Sequence, residues 1–276
     1  MTGTKKQDGK KPNVLLVTKG HPFERNEFFS LFDALDINWT HVEHPAARVF
    51  FSPELARDYD AFVMYDMPGI RFRRGDPEYE TPDESYKSNL LALLEAGKGM
   101  VFLHHAIAGW PAWEEYAEIL GGRFLYLPGE VRGKQVPDSG YRMDTQHHLR
   151  VLEEHPVTEG LPARFSMTDE LYLSEVFEDS IVPLLASDYE FTRDNFYSAA
   201  KAASTMTMNE NEGWYHENGS NLVGWVKSYR NSPIAYFQGG HGPENYVDEN
   251  FRQLVQNAIY WAASAEALQW AQAEAE

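Results

Sequence analysis

Cysteine is absent from this 276-residue sequence. Its absence excludes disulfide bonds, catalysis by a thiolate and Cys-ligated zinc or iron–sulfur sites. Basic residues are scarce as well: 24 lysines and arginines stand against 42 aspartates and glutamates, which gives a formal net charge of -18. Because nucleic acids and anionic membranes are bound by basic surfaces, this charge argues against both as partners.

Long apolar runs are also absent. None approaches the roughly 20 residues that span a bilayer, and the lysine-rich segment 1–11 lacks the apolar core of a signal peptide. We therefore expect a cytoplasmic protein with a flexible leader at residues 1–11. The hydrophobic share of 43% is enough for one large core. Residues 12–265 are predicted to form a single α/β domain, and the Ala- and Glu-rich residues 266–276 a helical tail.

Several familiar catalytic motifs are missing. The sequence has no Gly-x-x-x-x-Gly-Lys-Ser/Thr loop, no Gly-x-Ser-x-Gly elbow, no Gly-x-Gly-x-x-Gly after its first strand and no His-Glu-x-x-His. Nucleotide hydrolysis, serine hydrolysis and dinucleotide binding therefore have little support.

The first half of the chain alternates between apolar runs and segments of helical periodicity. The predicted strands are Asn13–Thr18, Ile37–Val42, Tyr59–Tyr65 and Met100–Leu103. The predicted helices are Glu24–Leu35, Tyr86–Ala96 and Ala112–Leu120. This alternation is typical of a doubly wound, mostly parallel sheet.

In the second half, short strands follow one another without long helices between them. They are predicted at Tyr141–Leu152, Ile181–Leu185, Ala203–Met208, Leu222–Val226 and Ile234–Phe237. This spacing indicates an antiparallel extension of the sheet. A strongly amphipathic segment, Val247–Ala263, is predicted as one helix.

Polar loops follow four of the predicted strands. They are Lys19-Gly20-His21, Asp66-Met67-Pro68-Gly69, His104-His105 and Gln238-Gly239-Gly240-His241. In an open α/β sheet, ligands bind outside the carboxyl ends of the strands. If these strands are parallel, one cleft receives the side chains of His21, Asp66, His104, His105 and His241.

The residue types in these loops suit acid–base or metal chemistry. Neutral imidazole can take a proton, give one or bind a metal, although a histidine can also be a satisfied core residue. The pair Asp169-Glu170 could orient a histidine, act as acid or base, join a metal site or lie solvated in a loop. Gly240 either lets the backbone approach a ligand or supplies the positive φ of a turn.

Seven segments together resemble the ThuA-like (trehalose-utilisation) family, in order from about Val14 to Ala263. They are Lys19-Gly20-His21-Pro22-Phe23-Glu24-Arg25, Tyr65-Asp66-Met67-Pro68-Gly69, Phe102-Leu103-His104-His105-Ala106, Gly121-Gly122-Arg123-Phe124, His155-Pro156-Val157-Thr158, Asp169-Glu170-Leu171-Tyr172 and Gly240-His241-Gly242. The resemblance implies a flavodoxin-like, class I glutamine amidotransferase-like three-layer α/β sandwich. His104-His105 stands where amidotransferases of that fold carry a cysteine, so thiolate glutaminase chemistry is not expected.

The resemblance also implies a role in bacterial sugar or glycoside catabolism, including routes through 3-keto-sugars. Our first hypothesis is a sugar-processing isomerase, lyase or hydrolase that uses histidine and carboxylate groups. The residues assigned to it are His105 or His104 as acid/base, Glu170 or Asp169 as partner, and His241 as second acid/base or oxyanion donor. A sugar ring would stack on Trp110 and Tyr172, with His21, Asp66 and Gly240 also contacting it.

Two further questions are left open by the sequence. The alternative function is a non-catalytic sugar-binding or regulatory module on an amidotransferase-like fold. No cofactor is required by the sequence, but the His, Asp and Glu side chains would also suit a divalent metal such as zinc, manganese or iron. The expected partner is a small sugar or keto-sugar, and assembly into a homo-oligomer is left open.

Overall fold

The computed structural model describes residues 10–274. The predicted leader at residues 1–11 therefore lies almost entirely outside the described residues, as do the last two residues of the predicted tail. Within the described part of the chain, no helix is long and apolar enough to cross a membrane.

Nine main strands form one mixed sheet. They are β1 (Asn13–Lys19), β2 (Asn38–Glu43), β3 (Ala61–Asp66), β4 (Gly99–Leu103), β5 (Gly140–Val151), β6 (Arg164–Leu173), β7 (Val182–Ser187), β8 (Leu222–Tyr229) and β9 (Ser232–Phe237). Their order across the sheet is β6-β5-β7-β8-β9-β4-β3-β1-β2, and a short tenth strand, Tyr197–Ser198, pairs with β5.

The sheet has a parallel half and an antiparallel half. The strands β2, β1, β3, β4 and β9 are parallel neighbours, whereas β8, β7, β5 and β6 continue the sheet in antiparallel pairs. The predicted fold class, a mostly parallel α/β sheet with an antiparallel extension, is confirmed. So is the prediction that β1, β3 and β4 are parallel neighbours in one sheet.

Helices and short 3-10 turns cover both faces of this sheet. The α-helices are α1 (Arg25–Ala34), α2 (Pro53–Ala56), α3 (Glu84–Glu95), α4 (Glu114–Leu120), α5 (Ala199–Thr205), α6 (Pro243–Val247), α7 (Glu249–Ala262) and α8 (Ala265–Glu274). The parallel strands β3 and β4 are buried along their whole length, as expected for strands covered on both faces. The buried side chains form two large apolar clusters, one on each side of the parallel strands.

Two predicted elements differ from the structure. The predicted strand Ala203–Met208 is wrong, because residues 203–205 are the last turn of α5, whose N-terminus Ser198 caps through its side chain, and Met206 follows as the C-cap in the left-handed region. Alanine is the strongest helix former, and four of the seven residues of α5 are alanine. The predicted helix Val247–Ala263 is confirmed as α7, but it begins two residues later, at Glu249, because Asp248 has extended ψ and its side chain caps α7 at Phe251 N.

The antiparallel half brings its outermost strand back over the parallel half. Although β6 is separated from β9 by three strands in the sheet order, the Tyr172 amide in β6 donates a hydrogen bond to Oε1 of Gln238, just after β9, at 2.9 Å. The Gly240 amide donates to Oδ2 of Asp169 in β6 at 2.6 Å. This return places acidic residues of β6 opposite the histidine loops at the carboxyl ends of β4 and β9.

Candidate functional site

A pocket of about 430 Å³ opens beside the carboxyl ends of the parallel strands. This volume lies in the range of small-molecule sites. Its lining residues come from the loop after β1, the segment between α4 and β5, the strands β5 and β6, and the segments after β9 and around α5. They are His21, Pro22, Phe23, Glu24, Phe124, Tyr126, Tyr141, Met143, Glu170, Tyr172, Ala199, Ala202, Met208 and His241. Polar groups occupy one end, and aromatic and methionine side chains form much of the rest.

Three ligating atoms meet at the polar end, and we call these residues the His–Glu cluster: His104, Glu170 and His241. Nε2 of His104 lies 3.1 Å from Oε2 of Glu170 and 3.0 Å from Nδ1 of His241. Nδ1 of His241 lies 3.0 Å from the same carboxylate oxygen. The side chains are 0%, 9% and 25% exposed in the order His104, Glu170, His241, so His241 is the member most open to the pocket.

His104 is held in a strained and fully determined position. It follows β4 directly with a φ of 49°, in the left-handed region where backbone strain often marks functional sites. Its Nδ1 lies 2.7 Å from the carbonyl oxygen of Gln238. A carbonyl only accepts, so Nδ1 carries the proton and, in the neutral ring, Nε2 presents its lone pair to the cluster.

Glu170 and Tyr172 reach the cluster together because they alternate along β6. Residues i and i+2 of a strand share a face, and Oη of Tyr172 lies 2.9 Å from Oε2 of Glu170 and 2.7 Å from Nε2 of His104. Burial raises the pKa of Glu170, but the close contacts with the His104 and His241 rings outweigh burial and hold the pKa well below its ordinary value. Burial lowers the pKa of His241, and the opposing effect of Glu170 leaves that pKa raised. Glu170 is therefore ionised and favours positive charge beside it.

Asp169 points to the other face of β6 and holds the loop that carries His241. Its Oδ1 accepts the amides of Glu170 and His241 at 2.9 and 3.0 Å, and its Oδ2 accepts the Gly240 amide at 2.6 Å. Burial nevertheless raises the pKa of this carboxyl above its usual value. With all its hydrogen bonds made to backbone, Asp169 positions the cluster and does not enter it.

His21 lines the pocket next to His241, and the two rings meet edge to face at 5.6 Å. Nδ1 of His21 donates to the carbonyl oxygen of Pro22 at 2.7 Å, so the lone pair of the neutral ring is on Nε2. No other described residue hydrogen-bonds this ring. Burial, reinforced by His104, lowers the pKa of His21 to about 4. His21 is thus a neutral imidazole with an available nitrogen.

His105 lies behind this arrangement. Its ring stacks on His21 at 4.7 Å and packs on Tyr65 at 4.3 Å. The ring is buried, and neither nitrogen has a hydrogen-bond partner among the described residues. Burial lowers its pKa well below the ordinary value. Of the two adjacent histidines, His104 therefore reaches the cluster and His105 supports His21 from beneath.

Two of the expected sugar contacts lie outside the pocket. Asp66 ends β3 but is fully buried, and its Oδ2 lies 2.9 Å from Nε2 of His44. Trp110 is 1% exposed and packs against Tyr86 on the same side of the sheet. Because β3 is buried on both faces, its sequence shows no polar alternation that would have told which way Asp66 points.

The glycine expected to contact a ligand serves a turn. Gly240 has a φ of 110°, and a Cβ there would lie 2.9 Å from the Phe251 ring. Its carbonyl oxygen accepts a hydrogen bond from Oη of Tyr65 at 2.9 Å. The positive φ and close packing therefore explain this glycine without a ligand.

The sequence interpretation missed Gln238 and the aromatic wall formed by Phe124 and Tyr126. Gln238 holds His104 through its carbonyl and β6 through its side chain. Its position in Gln-Gly-Gly-His, directly before the glycines and His241, could have indicated that Gln238 belongs to the site. Phe124 packs on Tyr172 at 4.8 Å and on Tyr126 at 5.1 Å, but this wall lies in a Gly/Pro-punctuated stretch that has no periodicity to interpret.

The sequence matches the family model described as ThuA, trehalose utilisation, over residues 13–262. Among solved structures, a ThuA-like protein from Parabacteroides merdae shares 17% identity at a TM-score of 0.62, with 92% of this chain and 91% of the other covered. A ThuA-like protein from Bacteroides uniformis shares 19% identity at a TM-score of 0.60, covering 93% and 94%. A protein of Salmonella typhimurium titled as cytoplasmic shares 10% identity at a TM-score of 0.57, covering 90% and 98%. No curated protein matches the sequence.

Proposed function

The chain belongs to the ThuA (trehalose utilisation) family, and from this premise we propose that it is a carbohydrate-processing enzyme whose reaction centre is the His–Glu cluster. The family supports a function connected with carbohydrates. The observation that carries the proposal is the meeting of His104 Nε2, Glu170 Oε2 and His241 Nδ1 within 3.1 Å at the inner end of a pocket. The proposed substrate is a sugar or keto-sugar, and the proposed setting is the cytoplasm of a bacterium.

The pocket suits a sugar because it combines two kinds of surface. Aromatic rings bind the C–H face of a sugar ring, and a few polar groups fix its hydroxyls. Phe124 and Tyr126 supply such rings, while His21, Glu170 and His241 supply the polar groups. Tyr172, which the sequence suggested as a stacking ring, instead aims its hydroxyl into the cluster. We propose that Phe124 and Tyr126 take over the stacking role assigned to Trp110 and Tyr172.

The proposed chemistry is proton transfer next to a carbonyl group. Nε2 of His21 is free and neutral, which suits removal of the proton from the carbon beside the keto group. The proton goes to Nε2, the C–H electron pair forms a C=C bond and the π pair of the C=O bond moves to the oxygen. The positive charge held by Glu170 at the cluster stabilises that oxygen. This enolisation is the step that isomerisation and elimination share. It uses no thiolate and no organic cofactor.

The test is a substrate panel that includes trehalose, other glycosides and their 3-keto derivatives. We expect the wild-type protein to exchange the hydrogen beside the keto group with deuterium from solvent and to release an isomer or elimination product, detected by NMR. Calorimetric titration against the same panel measures binding. Binding without exchange or product across the keto-glycosides would reject the enzyme and favour a sugar-binding module. Absence of binding to every sugar in the panel would reject a sugar as the ligand of this pocket.

A further inference from the structure

We propose that the His–Glu cluster is a binding site for one divalent transition-metal ion, with His104 Nε2, His241 Nδ1 and a Glu170 carboxylate oxygen as its protein ligands. This inference deepens the proposed function, since it names the source of positive charge at the proposed reaction centre. The residues that carry it are the two histidines and the glutamate, and their spacing and orientation are the evidence.

The spacing matches that of ligands on one face of a metal ion. The three ligating atoms are 3.0, 3.0 and 3.1 Å apart. Ligands about 2.1 Å from an octahedral ion, at right angles to each other, are about 3.0 Å apart. Two histidines and one carboxylate on one face of an ion are a recurring set for divalent transition metals, and they leave the opposite positions open.

The orientation of His104 also fits a metal ligand. Its Nδ1–H is committed to the Gln238 carbonyl at 2.7 Å, so the lone pair of the neutral ring points at Oε2 of Glu170. This lone pair and a carboxylate oxygen lie 3.1 Å apart, and a cation between them would be attracted by both. A backbone carbonyl on the second nitrogen is the arrangement that fixes metal-binding histidines.

The surroundings of the cluster supply its supporting contacts. Asp169 binds the backbone amides of Glu170 and His241, so it fixes two ligands relative to each other without competing for the ion. Glu170, His241 and Tyr172 line the pocket, which gives a sugar oxygen access to the open positions. A cation there would supply a Lewis acid at the inner end of the pocket, and His21 lines the same pocket with its ring 5.6 Å from that of His241.

The donor set narrows the class of ion. Two imidazoles and one carboxylate, with no thiolate in the whole sequence, suit zinc, manganese or ferrous ions better than copper(I) or magnesium. The experiment therefore uses Mn²⁺ and Zn²⁺ separately, on full-length protein purified without a histidine tag and treated with a chelator. Binding is measured by equilibrium dialysis with elemental analysis, and Mn²⁺ also by the loss of its free-ion EPR signal, both in the absence of sugar.

We expect one Mn²⁺ or Zn²⁺ per chain and a rise in Tm with added metal. Glu170→Gln and His104→Ala should each weaken binding by about 100-fold or more, because each removes a direct ligand. Circular dichroism checks that both variants fold. Tyr172→Phe should bind within a few-fold of wild type. His148→Gln, which removes an exposed histidine that pairs with Asp188, is the matched control and should bind as wild type does.

Wild-type protein that binds no stoichiometric Mn²⁺ or Zn²⁺ would overturn the inference, as would Glu170→Gln and His104→Ala variants that fold and bind like His148→Gln. The outcome is separable from that of the proposed function. A chain that binds one ion at the cluster but processes no sugar upholds the metal site and contradicts the enzyme. A chain that binds no stoichiometric metal but turns over a keto-sugar fully upholds the enzyme and contradicts the metal site.

Discussion

The carbonyl oxygen of Gln238 accepts a hydrogen bond from Nδ1 of His104 at 2.7 Å. The two residues are neighbours because β9 and β4 are parallel, adjacent strands that end at the same level, with Phe237 opposite Leu103. The bond fixes the tautomer of His104, and so decides that Nε2 is the atom offered to Glu170 and His241. The parallel pairing of β9 and β4 thus sets the tautomer of His104 through one backbone carbonyl.

Asp169→Asn tests whether this carboxylate positions the cluster. The amide nitrogen of Asn cannot accept a hydrogen bond, so at least one of the three backbone amides that Asp169 accepts is left unpaired. We expect turnover to fall about 10- to 100-fold, with a smaller change in KM. Steady-state kinetics on the keto-sugar identified by the panel is the measurement. Asp188→Asn, at an exposed carboxylate, is the control. An unchanged kcat in Asp169→Asn would show that Asp169 has no positioning role.

His21→Asn tests the proposed proton transfer. Asn keeps much of the side-chain volume but cannot exchange a proton, so kcat and the rate of solvent deuterium exchange should fall about 100-fold or more. Binding of the sugar, measured calorimetrically, should change much less. His148→Asn should behave as wild type in both assays. Normal deuterium exchange in the His21 variant would assign the proton transfer to another group.

The parts of this account that follow from the sequence are those that depend on local patterns. The strands β1, β3 and β4, their parallel order and the gathering of His21, His104 and His241 follow from apolar runs that end in polar loops. The position of Glu170 does not, since β6 reaches His104 only because the antiparallel half of the sheet returns over the parallel half. No local signal encodes that return.

The direction of a side chain within a buried strand is also missing from the sequence. Tyr65 and Asp66 are adjacent at the end of β3, and both are buried. Tyr65 contacts the Gly240 turn and His105, while Asp66 faces away toward His44. When both faces of a strand are covered, no alternation of polar and apolar residues distinguishes them.

Trp110→Phe and Tyr126→Ala should separate fold from binding. Trp110 is buried outside the pocket, so its replacement should lower the free energy of unfolding and leave the sugar Kd within about twofold. Tyr126 lines the pocket, and its loss should weaken sugar binding by roughly 5-fold, in keeping with about 1 kcal/mol for one aromatic contact. Urea unfolding and calorimetric titration give the two quantities. Weakened sugar binding in Trp110→Phe together with unchanged binding in Tyr126→Ala would instead support Trp110 as the sugar contact.

Acid should destabilise the protein partly through His147. Its Nδ1 lies 2.8 Å from Oγ of Ser187, and Nε2 has no partner among the described residues. Burial lowers the pKa of His147 to about 4. Asp188 has a smaller effect that raises this pKa, and His148 has a smaller effect that lowers it. Between that value and the unfolded value of about 6.5, the unfolded chain binds more protons than the native one. Stability should therefore be greatest above pH 7 and fall as the pH drops.

The linkage predicts that His147 accounts for about 2 kcal/mol of the stability lost between pH 7 and pH 5. Urea unfolding at pH 7 and pH 5 should show that His147→Gln loses less stability on acidification than wild type does, by about 2 kcal/mol. Gln can still hydrogen-bond Ser187 but does not ionise. His148→Gln, its exposed neighbour on the strand, should lose as much stability as wild type. Equal losses in wild type and His147→Gln would show that His147 is not the titrating group.

The central claim is that the His–Glu cluster is the reaction centre, and Glu170→Gln tests it most directly. Gln has the same shape but no negative charge, so it can neither favour positive charge on His241 nor serve as a charged metal ligand. The measurement is kcat/KM on the keto-sugar identified by the panel, with Glu175→Gln, on a short strand outside the pocket, as control. The account predicts a fall of about 100-fold or more in folded Glu170→Gln, with Glu175→Gln unchanged. A kcat/KM for Glu170→Gln within about threefold of wild type would contradict it.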